Sequence, residues 1–203
     1  MLPGVPPISV PRMRNPIRLK NLSVRFLPLY VVGLWLLFIQ VPHRAALLAG
    51  GLPILLGLAL RSWGAGHLVK NDTLTTTGPY AHLRHPLYLG TLLIGTGFAI
   101  AVGGWFGVLI LLLLWPWFAL HYFPRKESVE GERLVVRYGE RFTRYREAVP
   151  ALWPRFTAWQ DAAQPAPAAD WELDRYSDNN ELGTLLAVSL GWLAFWLRVG
   201  LAG

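Results

Sequence analysis

Thr77-Gly78-Pro79-Tyr80-Ala81-His82-Leu83-Arg84-His85-Pro86-Leu87-Tyr88-Leu89-Gly90 is a polar, proline-punctuated turn set between two apolar runs, Ala45 to Trp63 and Leu87 to Val102. Its setting decides what kind of fold the chain can have. One arginine, two histidines and two tyrosines crowd the point where the chain re-enters an apolar segment. At a membrane boundary, ionisable groups cost free energy unless they are paired or bind something, so this stretch reads as a site.

The surrounding composition supports a membrane setting. Of 203 residues, 53% are hydrophobic and only 15% charged, and the mean hydropathy is +0.35. A soluble domain carries nearer a quarter charged residues. The apolar residues fall in long blocks, which predicts an all-α, polytopic helical bundle without a second large domain. The net charge of +7 is assigned to topology and anionic headgroups, because the basic residues flank apolar blocks. No nucleic-acid-binding signature accompanies them, and no nucleic-acid partner is expected. Without cysteine there is neither thiolate chemistry nor a cysteine metal site.

Working outward, about five spans are expected: Val24 to Val41, Ala45 to Trp63, Leu87 to Val102, Trp105 to Tyr122 and Leu182 to Val199, each near the length that crosses a bilayer core. Pro42-His43-Arg44 and Gly103-Gly104 make tight hairpin turns, and Gly50, Gly51 and Gly57 leave room for close helix packing. Nothing resembling a cleavage site follows the first apolar run, so it is expected to remain as a span. The chain divides into a basic arm (1–23), a membrane core (24–160), a linker (161–181) and a C-terminal transmembrane helix (182–203). Most lysine and arginine lies in the arm, the 61–86 loop and the 124–160 segment. The positive-inside rule puts these on the cytoplasmic side, with the N-terminus.

Two polar segments carry the candidate chemistry. In the first, Pro86 opens the third span at a position where its missing N–H costs nothing. The helix start behind it attracts anionic groups. Arg84 can grip a carboxylate bidentately, and Tyr80 and Tyr88 offer aromatic faces and hydroxyls. A metal site at His67, His82, His85 and His121 is not expected, since no third ligand stands at a fixed spacing. In the second, Lys126, Glu130, Leu134, Tyr138 and Phe142 recur every four residues on one helix face, in a segment helical in pattern from 124 to 160. A carboxylate at Glu130, near the membrane end, suits a cationic or proton-bearing partner. Arg137, Arg141, Arg144 and Arg146 read as a solvated face on the headgroups.

Together these segments resemble the isoprenylcysteine carboxyl methyltransferase and phospholipid methyltransferase superfamily of integral membrane enzymes. Gly78, Tyr80, Arg84, His85, Pro86, Tyr88 and Gly90 match its first motif at every fixed position. Glu130, Leu134, Tyr138-Gly139, Tyr145 and Val149-Pro150 match the second, with Tyr138 in place of phenylalanine. Gly131 stands where the second glutamate of a pair is expected; Glu132 or Glu127 are candidates to stand in for it. The resemblance covers about residues 45 to 154. It implies S-adenosylmethionine as cofactor, bound at the cytoplasmic face without a Rossmann fold. It places Tyr80, His82, Arg84, His85, Pro86, Tyr88, Gly90, Tyr138 and Tyr145 around that cofactor. Glu130, Arg84 and Lys126 (or Arg125) then face the reacting centre, and the acceptor is a lipophilic or lipidated molecule drawn from the membrane. Two rivals stay open: an NADPH-dependent enzyme like the sterol and steroid reductases, and a non-catalytic membrane sensor or assembly factor on the same fold.

Overall fold

A computed structural model describes Trp35 and residues 39–69, 73–163 and 170–202. The basic arm, most of the first expected span and the run 164–169 lie outside these residues. Every regular element among those described is helical: α1 (Arg44–His67), a single 3-10 turn (Gly78–Ala81), α2 (Pro86–Val102), α3 (Gly104–Trp117), α4 (Phe123–Tyr138), α5 (Glu140–Ala148), α6 (Leu173–Asp178) and α7 (Glu181–Ala202).

The α1–α2 hairpin is the centre of the bundle, because small residues let the two backbones meet. A Cβ on Gly57 would lie 2.6 Å from the Gly90 carbonyl, and one on Gly97 would lie 2.5 Å from that of Gly50. Close backbone approach is how helices associate in lipid, where apolar burial gives no net drive. Ile54, Ile94 and Val188 fill the middle of the bundle. Leu47, Ala101, Val102, Phe195 and Val199 fill its far end. Thus α7 packs against both members of the hairpin, and Gly51 meets its Trp192.

Among the described residues, three stretches are long and apolar enough to cross a membrane: Arg44–His67, Gly104–Tyr138 and Glu181–Ala202. The fourth apolar helix, α2, has 17 residues, about 25 Å at the α-helical rise. Leu48, Leu52, Leu112, Leu113, Leu190 and Leu197 point outward and exposed, as a lipid-facing surface requires. The described residues therefore form a membrane helical bundle, as the composition predicts.

The fourth expected span does not stop at Tyr122. After Pro116 a π-helical turn (Phe118–Tyr122) leads without interruption into α4, making one rod of 35 residues. At 1.5 Å per residue such a rod outruns a ~30 Å bilayer core by about 20 Å. The surplus carries the second polar segment out beyond the apolar helices. Gly139, at φ +54°, then turns the chain into α5, a conformation glycine adopts without the Cβ clash other residues meet. Helix was expected as far as 160, yet it ends at Ala148. Val149 precedes Pro150, and the residue before a proline is pushed out of the α region. From there to 163 no regular element forms. The expected linker, in turn, holds a short packed helix, α6, whose Tyr176 is buried.

Candidate functional site

The irregular strap after α5 joins the two polar segments. The backbone N–H groups of Arg84 and His85 donate to the carbonyls of Pro150 (2.9 Å) and Ala151 (3.0 Å). In return, Arg155 N–H donates to His82 (3.0 Å) and Trp159 N–H to Ala81 (2.9 Å). Side chains reinforce the seam: Arg84 Nε donates to Val149 O at 3.0 Å, and the Tyr145 hydroxyl to Tyr80 O at 2.7 Å. Phe142, Tyr145 and Val149 bury themselves against Leu74, with Trp159 packed alongside. The loop 77–85 thus has its backbone groups satisfied by the strap, which fixes the side chains it presents.

Between loop and rod lies a cavity of about 710 Å³. Tyr80, Arg84, His85, Pro86 and Tyr88 line it from one side, and Lys126, Glu130, Tyr138 and Tyr145 from the other. Arg84 and Glu130 therefore face one space. All five residues of the four-spaced run reach this cavity, Phe142 from α5 after the turn at Gly139. Two of the expected residues stand outside the lining. His82 directs Nδ1 to the Arg155 carbonyl, 2.8 Å away. Gly90 lies in the α1–α2 seam, where a Cβ would sit 2.5 Å from Arg61 Cγ and 2.8 Å from Gly57 O.

The electrostatic centre is a residue the spacing argument did not favour, Glu127. One carboxylate oxygen pairs with Arg84 and the other with His85 Nε2, while Arg146 Nε stands 3.9 Å away. Glu130, one turn on, accepts the Tyr88 hydroxyl at 3.1 Å and lies 4.0 Å from His85 Nδ1. His85 is in turn stacked on Tyr88, centroids 5.2 Å apart. The two carboxylates thus differ in duty. Glu127 is committed to two partners, whereas the Glu130 side chain remains 45% exposed at the cavity. Lys126 stands at the rim, its Nζ 5.9 Å from the Tyr122 ring centroid. The signal for Glu127 was its place three residues before Glu130, which puts both on one helix face.

Burial raises the phenol pKa of both Tyr80 and Tyr145; for Tyr145, nearby Arg84 works against that shift and Glu127 adds to it. Both hydroxyls therefore stay protonated well above neutral pH. Gly131, in the cavity wall, leaves open space: a Cβ there would meet only Arg146 Nη1, at 3.8 Å. The arginines expected to be merely solvated are partly tied down, since Arg144 Nη2 lies 3.1 Å and Arg141 Nε 3.8 Å from the buried Asp161 carboxylate.

Comparison with known proteins shows what part of this chain is similar to. Residues 46–141 match the phospholipid methyltransferase family. Protein-S-isoprenylcysteine O-methyltransferase of Schizosaccharomyces pombe is 31% identical over 86 residues, 42% of this chain and 34% of that protein. The cobalt-zinc-cadmium resistance protein CzcN of Cupriavidus metallidurans is 34% identical over 113 residues, 55% of this chain and 50% of its own length. The chain thus spans half or less of the relatives it matches. No solved structure matches it. The resemblance carried by the two motifs is borne out.

Proposed function

From the match of residues 46–141 to the phospholipid methyltransferase family and the geometry of the cavity, we propose a membrane-embedded methyltransferase that moves a methyl group from S-adenosylmethionine to a lipophilic acceptor. The observation that carries this reading is the single cavity shared by Arg84 and Glu130. Its volume, about 710 Å³, falls within the ~300–1,000 Å³ usual for small-molecule sites. Its chemistry suits the donor: an arginine for a carboxylate, glutamates for positive charge, tyrosine rings for a flat base. When bound, the cofactor supplies a methyl group already activated on a sulfonium, so the protein's task is alignment and exclusion of water.

In this assignment Arg84, held in place by Val149 O and Glu127, presents its remaining guanidinium nitrogen to the cofactor carboxylate. Tyr80, His85, Pro86 and Tyr88 shape that side of the pocket, and Tyr138 and Tyr145 cover the other. His82 and Gly90 serve by holding the strap and the α1–α2 seam. Glu130 and Lys126 flank the place where the methyl group is transferred. An amine acceptor gives up its proton to Glu130, acting as general base. A carboxylate acceptor needs no base and is oriented by Lys126. The site faces the cytoplasm, and the acceptor's apolar tail lies in the bilayer.

Isothermal titration of the purified protein with S-adenosylmethionine and with NADPH tests the reading. Saturable binding of the first, weakened at least tenfold by Arg84→Ala, and none of the second is the expected result; a charge-assisted pair is worth enough for that. Binding of NADPH alone would move the chain to the reductase class. Binding of neither would leave a non-catalytic membrane protein.

A further inference from the structure

The cavity wall is held from outside the matched region. α1 ends beside the cavity, since Leu68 and Val69 line it, and the last carbonyls of a helix have no partner within it. Here the chain beyond residue 170 supplies partners to two of them, Ala65 O and Gly66 O, and to Ser62 O one turn earlier. Trp171 Nε1 donates to Ser62 O at 2.9 Å, and the Glu172 N–H donates to Gly66 O at 3.1 Å. The Asn179 side-chain amide reaches Ala65 O at 2.9 Å and Leu68 O at 3.1 Å. The fit is specific, because any Cβ on Gly66 would overlap the Trp171 indole.

Two residues later, Glu181 opens α7 buried, 3% exposed. It takes both ends of the Arg61 guanidinium, Nε at 3.0 Å and Nη2 at 2.5 Å. The other terminal nitrogen of Arg61 crosses to α2, donating to Leu87 O at 3.1 Å and Thr91 Oγ1 at 2.6 Å. Leu87 stands between Pro86 and Tyr88, and all three line the cavity. A carboxylate on α7 thus holds an arginine on α1 against the first turn of α2.

We infer that residues 171–181 form a clasp, with Glu181 and Arg61 as positioning residues, that sets the end of α1 and the start of α2 so that the cavity is complete only when the C-terminal helix is docked. For cofactor affinity this rests on the function proposed above; for the geometry of the wall it does not.

The test uses the full chain in lipid nanodiscs, with hydrogen exchange read at 64–69 and 85–91 and S-adenosylmethionine titrated in parallel. Glu181→Gln and the milder Asn179→Ala are expected to speed exchange in both windows and to weaken binding on the order of tenfold, as displaced binding groups do. The swapped pair Arg61→Glu with Glu181→Arg separates positioning from mere docking. It restores the ion pair and the thermal midpoint, but a carboxylate at 61 has no proton for Leu87 O. Exchange at 85–91 and the weakened affinity should therefore persist in the swap. Full recovery of both in the swap would overturn the clasp, as would single variants that lower the midpoint while leaving exchange at 85–91 unchanged. If the wild-type chain binds no S-adenosylmethionine, the cofactor reading falls, and the exchange measurements still decide the clasp.

Discussion

Two arginine–glutamate pairs lie at the same end of this bundle, and they are built for different ends. Arg61 spends its guanidinium wholly on protein: both Glu181 oxygens, Leu87 O, Thr91 and Thr184. Arg84 commits Nε to Val149 O and one terminal nitrogen to Glu127, and among the described residues its other nitrogen is left for the cavity. The first pair is sealed and ties three helices together. The second is open on one side, with a neighbouring carboxylate, Glu130, also turned to the space. A saturated pair fixes architecture, and an unsaturated one beside a cavity is a place to bind.

The largest expected effect falls on the open pair. Glu127→Gln removes the carboxylate that faces Arg84 and His85 together and leaves the Arg84 guanidinium beside the cavity without its counter-ion. Breaking a largely desolvated hydrogen-bonded charge pair costs roughly 2–5 kcal/mol in binding; exposure of the cavity moves the expectation toward the lower half, about a thirtyfold to hundredfold loss of S-adenosylmethionine affinity. The thermal midpoint should change little, because the strap still holds loop 77–85 through backbone bonds. A midpoint that falls as far as the affinity would make Glu127 a fold residue and erase the contrast with Glu181.

The sealed pair should answer differently to apolar replacement. Arg61→Met with Glu181→Leu removes both charges and leaves side chains of similar bulk; such double replacements of buried ion pairs are often neutral or stabilising by about 1–4 kcal/mol. Thermal unfolding should therefore be nearly unaltered, whereas Arg61→Met alone should lose several degrees, since it leaves Glu181 buried without its partner. The matching double replacement at Arg84 and Glu127 should abolish cofactor binding. Equal tolerance at both places would break the distinction.

How much of this was legible in the sequence follows the same line. Arg84, His85, Tyr88, Glu130 and Tyr138 sit in two local patterns, and local patterns survive into structure because helix periodicity and proline placement fix them residue by residue. The apolar helices α1, α2 and α7 were legible from hydropathy, which the bilayer imposes directly. The helix expected to 160 failed at Val149-Pro150, where the chain turns back to pair with residues 81–85 through backbone groups that carry no side-chain signature. Glu127 was named only as a stand-in for the second glutamate of the pair, because the run of fours passes through Lys126 and Glu130 and skips it. Arg61 and Glu181 are 120 residues apart, too far for any spacing rule. The clue available was that each puts a charge at the edge of an apolar run, which demands a partner.

A smaller effect is expected where the strap meets the loop. Tyr145→Phe keeps the ring in its cluster and deletes the hydroxyl that donates to Tyr80 O, a bond worth about 1 kcal/mol net, so the midpoint should fall by a few degrees. The pH dependence has a definite sign. Burial raises the folded pKa of Tyr145 above its ordinary value of 10.0, so its contribution is fully present below pH 10 and declines above it as the unfolded chain ionises. Alkaline destabilisation should therefore be shallower in Tyr145→Phe than in the wild type. An identical slope in the two proteins would show that the phenol is not held neutral by the fold.

The smallest effect belongs to the rim, and it asks whether the open pair or its surroundings choose the acceptor. Among the described residues the Lys126 ammonium forms no ion pair with Glu127; it lies over the face of Tyr122, an exposed cation–π contact of about 0.5–1 kcal/mol. Lys126→Ala should leave S-adenosylmethionine affinity within about fivefold of wild type by that measure. What it should alter is the acceptor: KM for an anionic lipophilic acceptor should rise, and KM for an amine should not, because only the former gains from a cation at the mouth. A loss of cofactor affinity instead would place Lys126 with Arg84, in the pocket and not at its entrance. The division between a binding pair and an entrance charge would then have to be redrawn around a single cationic wall.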